Sequence, residues 1–229
     1  PLTTFALHTH QSQLPCSALS SFLPFLTRWG ADCTFNGAVW GVAHTNSGWQ
    51  GEGAFQLANI DLQQGLGDHF PHHWSGQCQL QCDQVKISNG RLVDLRGAVI
   101  VRNGQVSNSL LQAASRELHM RQNTSPVKGS SDALTEFQEF RVDLQLNQSG
   151  LELRGRQRPP YEDVVMYTDT EILLREPGPK HQPLPAMKLV HMMVDPSLNL
   201  LVPATRNTMQ LLRFLPVPNS SELSWPTGE

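Results

Sequence analysis

From Gln77 to Asp83 the chain alternates without a break. Cys78, Leu80 and Cys82 point one way, and Gln77, Gln79 and Gln81 point the other. A period of two is strand geometry, and one wet face against one apolar face belongs to an antiparallel sheet with a single packed side. The next residues extend the pattern. Val85-Lys86-Ile87 leads into Ser88-Asn89-Gly90 and on to Arg91-Leu92-Val93-Asp94-Leu95, and an Asn-Gly pair between strands is the strongest short-range hairpin signal. The fold class this predicts is mainly β: an extended, twisted antiparallel sheet, a curved groove or incomplete barrel, with two or three short helices on its apolar face.

The first 105 or so residues read as short strands separated by Gly and Asn turns, from Thr3–Leu7 onward, with a further turn at Asn103-Gly104. A second meander runs Phe140–Leu146, Asn147-Gln148-Ser149-Gly150, Leu151–Arg154. Asp163–Arg175 reads as another strand, and Met187–Val194 with Leu198–Val202 as a last hairpin across Asp195-Pro196-Ser197. Helices are expected at 17–29, kinked or split by Pro24, and at 107–120, where Ser107 or Ser109 can cap and Leu110, Leu111, Ala114 and Leu118 share a face. A third is expected at 205–215, docked on the apolar face of the sheet and plugging one end of its groove. The organisation predicted is a β-meander over 1–121, a polar loop over 122–135, and a continuing meander over 136–229, all within one continuous domain. A weak internal echo, Trp29-x-x-x-Cys33 and Trp74-x-x-x-Cys78, precedes two strand-like segments.

The chain has 17 basic and 20 acidic residues among 229, a formal charge of -3, so it carries no electrostatic footprint for nucleic acid. No apolar run reaches the ~20 residues of a membrane-spanning helix. The chain opens at Pro1 inside a strand-like run, which reads as a processed or excised start with an upstream signal or anchor missing. Four cysteines, at 16, 33, 78 and 82, suit either an oxidising or a reducing compartment. Cys78 and Cys82 lie roughly 13 Å apart along one strand, too far for a disulfide.

Chemistry-bearing motifs are sparse. His8-Thr9-His10 and the group His69, His72 and His73 are the places to look for a metal, but no cysteine or acid stands at matching spacing beside them except Asp68, and no metal site is predicted. There is no G-x-S-x-G elbow, P-loop, dinucleotide fingerprint or H-E-x-x-H, so no catalytic residue and no cofactor is assigned. Arg154, Arg156 and Arg158 alternate before Pro159-Pro160 and read as a charged edge strand that discourages unwanted pairing.

The apolar face itself is the remaining candidate. Its predicted lining is Phe55 and Leu57, then Cys78, Leu80, Cys82, Val85 and Ile87, then Phe140, Val142, Leu144 and Leu146. Such a groove accepts acyl chains or an apolar segment of a partner protein.

The run Gly48–Leu62, the stretch Trp74-Ser75-Gly76-Gln77-Cys78 and the run Gly90–Gly97 resemble the AsmA-like superfamily of bacterial envelope proteins, especially the type II secretion system protein N branch. The resemblance covers about residues 35–115. It rests on short strands, a small helical element opened by Asp-Leu, a Ser-Gly opening a strand and a Gly-closed hairpin. It implies an extended, curved β-sheet with an apolar inner face, on the periplasmic side of the cell envelope, anchored in the inner membrane by an upstream helix, without catalytic residues. The expected function is a non-enzymatic envelope protein that binds lipid or scaffolds a secretion or transport assembly. The alternatives are a protein–protein interaction module that recruits a strand at a sheet edge, or a hydrolase or metalloenzyme.

Overall fold

The computed structural model describes residues 2–10, 12–20, 24–44, 48–66, 70–89, 91–123, 133–155, 162–178 and 182–193. Its strands are β1 (Leu2–His8), β2 (Leu14–Pro15), β3 (Thr34–His44), β4 (Gly48–Asp61), β5 (Gln77–Ser88), β6 (Arg91–Ser107), β7 (Met120–Gln122), β8 (Leu134–Asn147), β9 (Gly150–Arg154), β10 (Val164–Tyr167) and β11 (Ile172–Pro177). The helices are α1 (Leu62–Leu66), α2 (Asn108–Leu118) and α3 (Met187–Met192), with 3-10 turns at Cys16–Leu19 and Pro24–Trp29.

The strands form one open, antiparallel, eleven-stranded sheet in the order β1-β3-β4-β5-β6-β8-β10-β11-β7. β2 pairs with β3, and β9 takes the part of β8 beyond its contact with β10. The hairpins predicted at Ser88-Asn89-Gly90 and at Asn147–Gly150 form: Ser88 pairs with Arg91 around Asn89, which takes φ 53, and Asn147 pairs with Gly150.

The strands are longer than the breaker residues suggest: 11 residues in β3, 14 in β4 and 17 in β6. Glycines that read as turns lie inside strands, because a neighbouring group occupies the space their side chains would need. The Phe5 ring lies over Gly41, its directly paired residue, and Phe55 lies across from Gly37, which takes φ +149. The turn expected at Asn103-Gly104 is likewise absent. Asn103 takes φ 51, and β6 continues to Ser107, paired to β8 on both sides of Asn103.

Between β6 and β7 the chain passes three strands, and α2 makes the crossing over the apolar face. At about 1.5 Å per residue its length matches three to four strand spacings. Ser107 is the N-cap, its hydroxyl accepting from the Leu110 N–H, and His119 ends the helix in the left-handed conformation. Leu110, Leu111, Ala114 and Leu118 are buried, in one core cluster with Phe137, Leu146, Leu173 and Leu184.

The split expected at Pro24 is found: the segment 17–29 carries two short 3-10 turns, one ending at Leu19 and one starting at Pro24. Two further expectations need correction. Asp163–Arg175 contains a hairpin, β10 and β11, turned where the Thr168 hydroxyl accepts from the Thr170 and Glu171 N–H groups. Met187–Met192 is the helix α3: Ala186, Leu189 and Met192 recur every three residues and pack against the core, and Lys188 Nζ reaches Glu117 Oε2 on α2 at 2.9 Å. The expected helix at 205–215 and strand at 198–202 lie outside the described residues, as does most of the 122–135 loop.

Candidate apolar groove

Strand pairing carries the inward face from one strand to the next. One row runs Phe35, Leu57, Leu80, Val99, Val142. The next runs Gly37, Phe55, Cys82, Gly97, Leu144, Leu153. A third runs Val39, Gly53, Val85, Leu95, Leu146, Leu151. Ile87 pairs with Gly51, and Cys78 pairs with Val101, which pairs in turn with Phe140. The register therefore places every predicted lining residue on one face.

Two bulges make this possible. In β5 the inward residues change from even to odd numbers between Cys82 and Val85, and the register shifts there against both neighbours. In β4 the shift falls between Leu57 and Ile60, where Asn59 takes φ 56. One extra residue resets the side-chain alternation, so the face stays apolar across the irregularity.

Burial divides this face. Leu57, Cys78, Cys82, Phe140, Val142 and Leu146 are buried core. Phe55, Leu80, Val85, Ile87 and Leu144 are only half-buried. They share that state with Val39, Leu95, Val99 and Leu153, neighbours in the same rows that sequence reasoning missed. Half-buried Val99 and buried Val101 alternate with Ala98 and Ile100, both buried, so β6 reads as a continuous apolar run with no face marked. Among the described residues α2 and α3 cover the β8–β11 side, while the 3-10 turns and α1 pack at the Phe35–Ile60 end. The half-buried strip lies between them, over the middle of β3 to β6 and on to Leu144 in β8 and Leu153 in β9.

Two thiols belong to this face. Burial pushes the Cys78 thiol up to about 12 and the Cys82 thiol up to about 11, the latter helped by the neighbouring Asp83 charge. Both are free, whereas Cys16 and Cys33 form a disulfide with Cα atoms 5.4 Å apart. The two Trp-x-x-x-Cys units are thus placed differently: Cys33 is bridged just before β3, and Cys78 is a free thiol inside β5.

The other candidates serve the scaffold. His72 Nδ1 lies 2.9 Å from Ser109 Oγ, which lies 2.9 Å from Ser107 Oγ, and the His73 N–H donates to Ser107 Oγ at 3.1 Å. These bonds pin the segment before β5 to the cap of α2. His8 accepts from the His10 N–H. His69 is outside the described residues, and among those described no three His, Cys, Asp or Glu side chains are grouped to hold a metal. Arg154 pairs with Glu152 on the outer face, while Arg156 and Arg158 lie outside the described residues. That outer face has a shallow cavity of about 300 Å³. Arg96, Arg141 and Arg154 meet Asp83, Asp143 and Glu152 there, so its charges cancel.

No protein-family model, curated protein or solved structure matches this chain.

Proposed function

We propose that this chain is a non-enzymatic protein of the bacterial cell envelope whose apolar groove takes up the acyl chains of lipids, for transport or within a secretion assembly. The observation that carries the reading is the half-buried strip itself. Phe55, Leu80, Val85, Ile87, Leu95 and Val99 adjoin one another across three strands, on the face that elsewhere is packed core. Each methylene moved from water onto such a strip gains about 0.8 kcal/mol. Ten would supply about 8 kcal/mol, the scale of a micromolar site. The Cys16–Cys33 bridge supports an oxidising compartment such as the periplasm. The resemblance of residues 35–115 to AsmA-like proteins supports the same place and the same use of a β-groove.

Native mass spectrometry of protein purified without detergent tests it, together with extraction of the same sample into organic solvent. The expected result is co-purified glycerophospholipid, displaced by an added fatty acid. A lipid-free protein that also fails to bind any alkyl chain sinks the proposal.

A further inference from the structure

Among the described residues the sheet has one long bare edge. Its far end, β7, is three residues long, and Arg121 there is held by the Asp163 carboxylate at 2.7 Å and the Glu176 carbonyl at 3.1 Å. The outer side of β9 is taken by Leu184, which exchanges two backbone hydrogen bonds with Leu151. β1 differs from both. It pairs with β3 over seven residues with no register shift, and among the described residues nothing pairs with its other side. Its sequence, Leu-Thr-Thr-Phe-Ala-Leu-His, has no Lys, Arg, Asp, Glu or Pro and no bulge, so it lacks every usual device for blunting an edge. Leu2 is 61% exposed and Phe5 45%, with Trp40 on the adjoining strand 48% exposed.

We infer that β1 is a dimerisation strand and that its partner is β1 of a second copy of this chain, paired antiparallel about a two-fold axis through Phe5. The composition of the strand selects that occupant. A charged partner strand finds no complementary charge on β1, whereas self-pairing sets Thr3 opposite Leu7, Thr4 opposite Ala6 and Phe5 opposite Phe5, with no like charges facing each other. The faces agree as well. Phe5 and Leu7 pair with Gly41 and Val39, on the apolar side of the sheet. The two-fold brings Phe5 and Leu7 of the second copy onto that same side, so two apolar faces join into one. Because the described residues of each copy offer one such edge, the contact closes at two chains. Nothing in this contact depends on what occupies the groove.

Sedimentation velocity of the lipid-stripped 229-residue protein from about 1 to 200 μM tests it, since a seven-residue contact falls in the weak, micromolar class. The wild type is expected to pass from monomer to dimer across that range. Phe5→Lys and Phe5→Glu should each be monomeric, because identical charges would face each other at the axis, and an equal mixture of the two should recover the dimer. Far-UV circular dichroism matched to wild type confirms that both variants fold. A wild type that stays monomeric, a dimer that persists in Phe5→Lys, open-ended oligomers, or a mixture that fails to recover the dimer each overturns the inference.

Discussion

The carbonyl oxygen of Ser75 lies where a Cβ on Gly104 would have to sit, and the Phe137 ring would come within 2.7 Å of that atom from another side. Ser75 is bound there on its own account, its N–H donating to the Gln105 carbonyl at 2.9 Å. Gly104 thus serves a close approach of two backbones. Gly104→Ala should destabilise the fold by about 2–3 kcal/mol, the cost of overpacking where backbone must move. Urea denaturation measures it, and an unchanged midpoint would mean that the segment before β5 yields freely.

The Cys16–Cys33 bridge closes a separation of 17 residues at the end of the sheet where the two 3-10 turns pack. Constraining a loop of that size in the unfolded chain is worth about 3 kcal/mol. The double variant Cys16→Ala, Cys33→Ala should lose roughly that much, read from the shift in denaturation midpoint against the oxidised wild type. An equal loss should appear when the wild type is reduced.

The two free thiols supply a test of burial that needs no variant. With Cys78 and Cys82 held near 12 and 11 by burial, almost no thiolate exists at pH 8, and the thiolate is the nucleophile. A disulfide-exchange reagent at that pH should label neither in the folded protein. In denaturant without reductant it should label two, the four cysteines less the bridged pair. Rapid labelling of the native protein would place these thiols at the surface.

Particular residues decide how much of this is legible in the sequence. Gln77–Cys82 announces its face because glutamine and apolar residues alternate there, and the bulges at Asp83 and Asn59 preserve the predicted grouping of Phe55 through Ile87. Glycine misleads. Gly41 and Gly104 read as strand breaks, yet each sits mid-strand because a ring or a carbonyl from a distant segment needs the room. No local pattern encodes such a neighbour. The segment of α3 reads as a strand because its helical spacing, Ala186, Leu189, Met192, is embedded in a short run of Met, Leu and Val that suits either element. Only docking on α2 decides between them.

That docking carries a charge pair with a pH signature. Lys188 Nζ and Arg116 Nε donate to the two oxygens of Glu117, and together they hold its carboxyl below the usual range. A carboxylate with a lowered folded-state value stabilises the fold above its unfolded value of about 4.3, and the contribution is lost as pH falls through the lowered value. Because the pair is partly exposed, Lys188→Met should cost only about 0.5 kcal/mol at pH 7. Wild type and variant should converge in urea denaturation at strongly acidic pH. A difference that survives there would belong to the lysine's aliphatic stem.

Val85 and Val101 separate the open strip from the closed core on one face of one sheet. Val101 is fully buried, whereas Val85 is half-buried in the row Val39, Gly53, Val85, Leu95. An arginine at 85 can lay its methylenes along the strip and keep its guanidinium in water. Val85→Arg should therefore fold with a loss of about 1 kcal/mol or less. An arginine at 101 has no water to reach, and an unpaired buried charge costs more than a marginally stable domain can lose. Val101→Arg should fail to fold. With its stem lying on the strip, Val85→Arg should weaken binding of a fluorescent fatty acid at least about tenfold, the equivalent of two displaced methylenes. Thermal melts alongside the binding titration give both readouts. Unfolding of Val85→Arg would mean that the strip is core, and undiminished fatty-acid binding would mean that the acyl chain lies elsewhere.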